Sequence, residues 1–196
     1  AYNDYSGWSN PPDDLQAPLQ TDIKASVVIV GGGFCGLMAA ITLAENDVDV
    51  VILEQEFCGF GASGRNAGHL TPTIGRDLVY CLKTFGQKKG LELAAFAENA
   101  VRFTEEVFQQ YQIDCDYLPN GNIVGGVHDK QRKPLLAAGE ACRKAGIAMQ
   151  FLDETQVRDA DLPRMVRFGL RETAGGLLNP GKYVMALRQI ALDKGV

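Results

Sequence analysis

Three glycines between an apolar run and an amphipathic segment constrain the fold of this chain more than any other feature. Gly31, Gly33 and Gly36 fit the pattern G-x-G-x-x-G. They follow Ser26–Val30, whose β-branched residues predict a strand buried on both faces, and they open a segment that predicts a helix over 34–46. A glycine turn in this setting lets the backbone approach an anionic group at the start of the helix.

A second buried strand is predicted over 49–53, which completes a β-α-β unit with a right-handed connection. Glu54 follows it, where a carboxylate can accept hydrogen bonds from both ribose hydroxyls of a nucleotide and repel a 2′-phosphate. The unit therefore predicts a dinucleotide-binding domain. The alternative is a glycine-rich turn in an α/β protein that binds no nucleotide. The fingerprint itself does not distinguish FAD from NAD.

The segment GFGASGRNAGHL, residues 59–70, follows Glu54 closely and contains four glycines. It has neither helical nor strand periodicity, and ordering so many glycines is costly. We expect this segment to lie close to the bound nucleotide, because it follows Glu54.

These motifs together resemble the D-amino-acid oxidase-like family of FAD-dependent amine oxidoreductases, most closely the branch of γ-glutamylputrescine oxidase. Glycine oxidase and sarcosine oxidase are more distant members. The resemblance extends from about Trp8 to Val196 and departs from the family at Asp47, where glycine is usual, and at His69, where glutamine or a small polar residue is usual. The motifs that carry it are Gly31-x-Gly33-x-x-Gly36-x-x-x-Ala40-x-x-Leu43-Ala44, Val50-x-x-x-Glu54 and Gly61-Ala62-Ser63-Gly64-Arg65-Asn66-Ala67-Gly68.

The resemblance implies that residues 61–68 pass alongside the flavin of FAD. Backbone N–H groups of this loop would then face the cofactor, and the cofactor would order the loop. Ser63 and Arg65 would contact the pyrophosphate or ribityl region, and Asn66–Gly68 would approach the isoalloxazine ring. His69 could act as a general base, attach the flavin covalently or simply end the loop. The predicted cofactor-binding residues are Gly31, Gly33, Phe34, Cys35, Gly36, Glu54, Gln55, Gly61, Ala62, Ser63, Arg65, Asn66, Ala67, Gly68 and His69.

The rest of the chain predicts α+β material inserted into a nucleotide-binding domain. Asn120-Gly121, flanked by short apolar segments, predicts a β-hairpin. Asn179 and Pro180 are suited to begin a helix, and Gly195 to end it. Further helices are predicted over 87–112 and 130–145, and further strands over 147–152 and 165–170.

The predicted fold class is α/β: a Rossmann-like FAD-binding domain with part of an inserted α+β substrate domain. The predicted limits are an extended arm over 1–22, the FAD-binding domain over 23–112, the insert over 113–176 and a return to the first domain over 177–196. Only Val196 follows the last helix, although such a helix normally leads to another parallel strand. We therefore expect an N-terminal piece of a longer protein whose sheet the remainder of the chain completes.

Composition excludes several classes of function. A net charge of −5, without clustered Lys and Arg, argues against nucleic-acid binding. No apolar run approaches the about 20 residues that span a bilayer. The five cysteines are widely spaced and contain no C-x-x-C pair, which disfavours a metal site or a disulfide framework and suits a reducing cytoplasm.

The predicted function is the N-terminal half of an FAD-dependent oxidoreductase that oxidises the C–N bond of a small amine or amino acid. The resemblance implies hydride transfer to the flavin, hydrolysis of the resulting imine, and reoxidation by O2 or another acceptor. No acid/base pair in the sequence stands out as catalytic. The alternatives are a nucleotide-binding module without catalysis and a different FAD enzyme such as a hydroxylase.

Overall fold

The computed structural model of the protein describes residues 7–8, 10–76 and 78–196. The predicted extended arm lies partly outside them, and described residues 10–22 contain neither helix nor strand. The elements are β1 (Val27–Val30), α1 (Phe34–Ala44), β2 (Val50–Leu53), β3 (His69–Leu70), α2 (Leu78–Gln110), β4 (Asn122–Gly126), α3 (Arg132–Lys144), β5 (Met149–Leu152), α4 (Glu154–Asp159), β6 (Phe168–Glu172), β7 (Gly176–Leu177) and α5 (Pro180–Asp193).

The chain divides into two compact units. The first comprises the described residues of Ala1–Gly68 together with Phe108–Tyr117 and Leu178–Val196. The second comprises the described residues of His69–Val107 together with Leu118–Leu177. This division differs from the predicted domain limits mainly in residues 69–107, which group with the three-stranded sheet of the second unit.

The first unit contains the predicted β-α-β arrangement, but the predicted burial of the strands on both faces is wrong: Val28 and Val30 of β1 are 53% and 85% exposed. Strand β1 pairs with β2 in parallel, and Val27 lies opposite Val50. Helix α1 packs against α5, with Ile41 and Leu187 fully buried. The connection from α1 to β2 passes through Asp47, whose φ of +57° is the left-handed conformation expected where the family has glycine. The predicted α/β class is confirmed.

Helix α5 begins and ends as its sequence predicts. The Asn179 side chain accepts a hydrogen bond from the Lys182 amide, Pro180 occupies the first turn, and Gly195 follows the helix with a φ of +85°. Helix α2 is longer than predicted because it begins at Leu78. A non-helical Gly86, with a φ of +78°, kinks it, so the periodicity of the sequence is interrupted there.

The second unit contains an antiparallel sheet with strand order β4-β6-β5 and a short β3–β7 pair. The predicted hairpin around Asn120-Gly121 is wrong. Leu118 pairs instead with Leu177, and β4 pairs along its whole length with β6. The turn residue Gly121 does have a positive φ of +69°, but the strand it introduces pairs with a distant segment.

In the part of the chain that the structure describes, no helix combines the length and the apolar character of a membrane span.

Candidate functional site

A cleft of about 310 Å³ lies in the first unit where β1 and β2 end. We call it the glycine cleft. The carboxyl ends of parallel strands are where α/β folds commonly bind ligands. Its lining residues are Gly31, Gly33, Glu54, Gln55, Glu56, Gly59, Phe60, Gly61, Ala62 and Ser63.

The glycine turn between β1 and α1 forms one wall of this cleft. The Gly31 amide donates to the Leu53 carbonyl at 2.8 Å, which extends the pairing of the two strands. A Cβ on Gly36 would lie 2.0 Å from the Gly31 carbonyl oxygen and 3.3 Å from Cγ2 of Ile29. Only glycine at position 36 therefore allows α1 to begin so close to β1.

The start of α1 carries hydrogen-bond donors that suit an anion. Ser63 Oγ accepts a hydrogen bond from the Phe34 amide at 3.0 Å, and a Cβ on Gly33 would lie 2.8 Å from that oxygen. The amides of Cys35 and Gly36 have no acceptor among the described residues. The Ser63 hydroxyl retains its own proton for donation, and the helix dipole adds positive potential.

The Glu54 carboxylate is fixed at the end of β2. Its Oε2 accepts from the Gly32 amide at 2.7 Å, and its Oε1 accepts from the Glu56 amide at 3.0 Å. A carboxylate has about four lone-pair positions, so each oxygen can accept a further hydrogen bond from a ligand hydroxyl. Burial raises the pKa of the nearby Cys58 thiol, which therefore adds no negative charge beside the turn.

The Asn66 side chain makes three hydrogen bonds within the loop that closes the cleft. The Asn66 amide nitrogen donates to the carbonyls of Ala62 and Ser63, at 3.2 and 2.9 Å. Its oxygen accepts from the Gly68 amide at 2.8 Å. The loop thus has hydrogen bonds of its own, whereas the family resemblance implied that the cofactor would order it.

Arg65 contacts the cleft wall through Phe60. Its Nε donates to the Phe60 carbonyl, and its guanidinium lies 4.2 Å from the centroid of the Phe60 ring. The same ring packs edge-on against Phe57, with centroids 5.4 Å apart. The structure therefore gives Arg65 a position beside an aromatic residue that lines the cleft.

The cleft contains about half of the predicted cofactor-binding residues. Phe34 contributes its amide to this region, while its ring packs against Tyr183 with centroids 4.9 Å apart. Predicted residues in the lining are Gly31, Gly33, Glu54, Gln55, Gly61, Ala62 and Ser63. Predicted residues outside the lining are Phe34, Cys35, Gly36, Arg65, Asn66, Ala67, Gly68 and His69.

Sequence reasoning missed three lining residues: Glu56, Gly59 and Phe60. Gly59 and Phe60 lie inside the glycine-rich segment 59–70, so extending the predicted site to the start of that segment would have included them. The Gly59 amide donates to the Gly32 carbonyl at 2.9 Å, which joins the loop to the glycine turn.

His69 lies on β3 in the second unit and is exposed. Its Nδ1 is 3.4 Å from Oδ1 of Asn122, and the Asn122 amide nitrogen donates to the Leu70 carbonyl at 3.2 Å. These contacts join β3 to the start of β4. Among the described residues, no group of three or more His, Cys, Asp or Glu side chains could hold a metal ion.

Comparison with known proteins identifies the family to which this chain is similar. A family model described as FAD dependent oxidoreductase (DAO) matches residues 26–196. Gamma-glutamylputrescine oxidoreductase of Escherichia coli (strain K12) is 35% identical over 83% of this chain and 38% of its own length. The probable oxidoreductase OrdL of Haemophilus influenzae is 30% identical over 93% of this chain and 43% of its own length. The chain thus spans about two fifths of the length of these relatives.

Solved structures show the same fold at lower identity. Glycine oxidase from Geobacillus kaustophilus is 20% identical, with a TM-score of 0.75 over 87% of this chain and 45% of that one. L-amino acid deaminase from Proteus vulgaris is 18% identical, with a TM-score of 0.66 over 97% of this chain and 41% of that one. The resemblance that the motifs indicated is confirmed: the chain belongs to the DAO family of FAD dependent oxidoreductases.

Proposed function

We propose that this chain binds the nucleotide part of FAD in the glycine cleft. The observation that carries the proposal is the placement of Ser63 and Glu54 on either side of one glycine turn. Ser63 satisfies the first amide of α1 and still has a proton to donate, while Glu54 retains acceptor positions on both oxygens. These are the donors and acceptors that a pyrophosphate and a ribose require.

Each group in the cleft would have a defined role. The amides at the start of α1 and the Ser63 hydroxyl would hold the pyrophosphate, helped by the helix dipole. Glu54 would accept hydrogen bonds from ribose hydroxyls, and its charge would disfavour a nucleotide with a 2′-phosphate. Asn66 would keep the loop in the shape that fits the cofactor. From the family resemblance, we further propose that Arg65 and residues 66–69 lie toward the flavin end.

We further propose that the whole protein oxidises the C–N bond of an amine or amino acid. The names of its relatives support this substrate class, because they include a gamma-glutamylputrescine oxidoreductase, a glycine oxidase and an L-amino acid deaminase. Bound FAD would supply a hydride acceptor for the carbon that bears the substrate nitrogen. The wide spacing of the five cysteines, without a C-x-x-C pair, supports a reducing compartment such as the cytoplasm.

Two measurements test these proposals separately. Titration of the purified protein with FAD, followed by flavin fluorescence, should give saturable binding that Glu54→Gln weakens. Ser26→Ala serves as a control, because Ser26 is an exposed residue of the first unit outside the cleft lining. Unchanged affinity in Glu54→Gln would contradict the assigned role.

The reaction class needs the complete flavoprotein. Anaerobic mixing with γ-glutamylputrescine, glycine or other amines should bleach the flavin absorbance. Bleaching by NADPH, with no response to any amine tested, would overturn the amine-oxidising proposal and leave FAD binding intact.

A further inference from the structure

A second cavity lies wholly within the second unit, between α2, α3 and one face of the three-stranded sheet. Its volume is about 180 Å³. Most of its lining is aliphatic and comes from both helices and from all three strands, including Leu93, Ala97, Leu135, Met149 and Leu170. We call it the Glu172 pocket, after the carboxylate in its wall.

Glu172 is the one buried polar or charged residue among the described residues, with 7% of its surface exposed. It lies on β6 two positions after Leu170, so both side chains point to the helical side of the sheet, while Arg171 between them is exposed. A carboxylate in such a position is costly unless it has a partner.

Among the described residues, this carboxylate has no partner. The Glu172 side chain makes no hydrogen bond or ion pair with any of them, and burial raises its pKa. Its oxygens keep some accessible surface, and Glu172 lines the pocket. The carboxylate is therefore available to a molecule that enters.

Arg76 is the only other charged residue in the lining among the described residues, and its surroundings differ. It is exposed, and its guanidinium lies 5.1 Å from the ring centroid of Tyr80. Solvent screens an exposed charge strongly, whereas a charge among aliphatic side chains acts through a lower effective dielectric. The interior of the pocket therefore favours a positive charge beside Glu172.

We propose that the Glu172 pocket binds a small organic cation, an ammonium group on an aryl or short alkyl body. An apolar cavity of about 150 Å³ is large enough to hold benzene, so the pocket has room for an aromatic ring with an aminomethyl group. The ammonium would donate hydrogen bonds to the Glu172 carboxylate, and the ring would contact the aliphatic wall. This site is additional to the glycine cleft and needs no bound FAD.

Calorimetric titration of the purified protein with benzylammonium chloride tests the proposal. Saturable binding of one equivalent is expected, with benzyl alcohol binding more weakly and benzoate weakest. Glu172→Gln should weaken benzylammonium binding at least about tenfold, since a hydrogen bond to a charged group is lost, and should change benzyl alcohol binding little. Glu92→Gln is the matched control, because Glu92 is exposed and outside the lining.

Two further variants locate the site and separate binding from folding. Ala138→Leu fills the pocket from α3 and should abolish binding of both probes. Glu172→Gln should melt at the same or a higher temperature than the wild type without ligand, because it removes an unpaired buried charge. Binding that does not saturate, equal affinity for benzylammonium and benzyl alcohol in the wild type, or an unchanged affinity in Glu172→Gln would overturn the proposal.

Discussion

Ser63→Ala tests the assigned geometry of the glycine cleft most directly. The substitution removes the oxygen that accepts a hydrogen bond from the Phe34 amide at 3.0 Å. Loss of such a cap at a helix start typically costs about 1 kcal/mol of unfolding free energy. For a chain of this size, 1 kcal/mol corresponds to a fall in Tm of about 2–4 °C.

The same substitution should have a larger effect on FAD. The Ser63 hydroxyl would also donate to a charged phosphate, and hydrogen bonds of that kind contribute about 1.5–3 kcal/mol. The Kd for FAD should therefore rise about 10- to 150-fold. Differential scanning fluorimetry of the cofactor-free protein measures the first effect, and fluorescence titration with FAD measures the second.

The two measurements can refute different parts of the reasoning. A lower Tm with an unchanged Kd would show that Ser63 only caps α1. An unchanged Tm would show that its contact with Phe34 adds no stability. Ser26→Ala, the exposed control in the same unit, should change neither quantity.

Three further predictions follow from other parts of the structure. Gly36→Ala should lower the unfolding free energy by about 1–3 kcal/mol, because its Cβ would lie 2.0 Å from the Gly31 carbonyl oxygen and the backbone must move. Urea denaturation measures this change, and an unchanged midpoint urea concentration would contradict the close approach of α1 to β1. N-Ethylmaleimide should modify exposed Cys35 well before Cys115, since burial raises the pKa of the Cys115 thiol to about 11. FAD should slow the reaction at Cys35. Peptide mass spectrometry at early times measures both reactions, and earlier modification of Cys115 would contradict the prediction. Burial also raises the pKa of the Glu172 carboxyl above its ordinary value of 4.5. The protonated carboxyl therefore contributes stability that is fully present below pH 4.5 and is lost as the pH rises through the raised pKa. The stability gained by Glu172→Gln should therefore grow from pH 4.5 upward, and a pH-independent gain would exclude burial of the charge as its cause.

The β-α-β unit could be predicted because its signals are local. The two apolar strands, the glycine turn and the helix occupy consecutive residues, although the helix also packs against the distant α5. The capping of α5 by Asn179 is equally local, since the bond spans three residues. These local preferences determine the elements themselves, even where packing contributes little, as at Val30, which is 85% exposed.

The predicted hairpin failed because strand pairing depends on distant residues. Gly121 has the positive φ that its sequence suggests, yet β4 pairs with β6, which lies more than 40 residues further along the chain. A favourable turn does not determine which strand lies alongside. Periodicity likewise predicted most of α2 and missed the turns before the kink at Gly86.

The residues of the candidate site likewise differ in whether local sequence or distant contacts determine their position. The glycine turn and Glu54 could be placed from sequence because they lie at strand ends. The partner of Ser63 could not, because the Phe34 amide is 29 residues away and only the fold brings the two together. Nor could Glu172 be recognised as unpartnered, since an ordinary acidic residue in a strand shows no sign of its burial.

The hydrogen bonds of Asn66 bear on when the glycine-rich loop becomes ordered. Fixing one residue of backbone costs about 1–2 kcal/mol of conformational entropy, and a loop with four glycines would lose much of this on meeting a ligand if it were unconstrained. Because the Asn66 side chain bonds the backbone at three positions, we expect part of that loss to occur when the protein folds. The proposed capture of FAD should then need less rearrangement of the loop, and its rate should be closer to the rate of encounter.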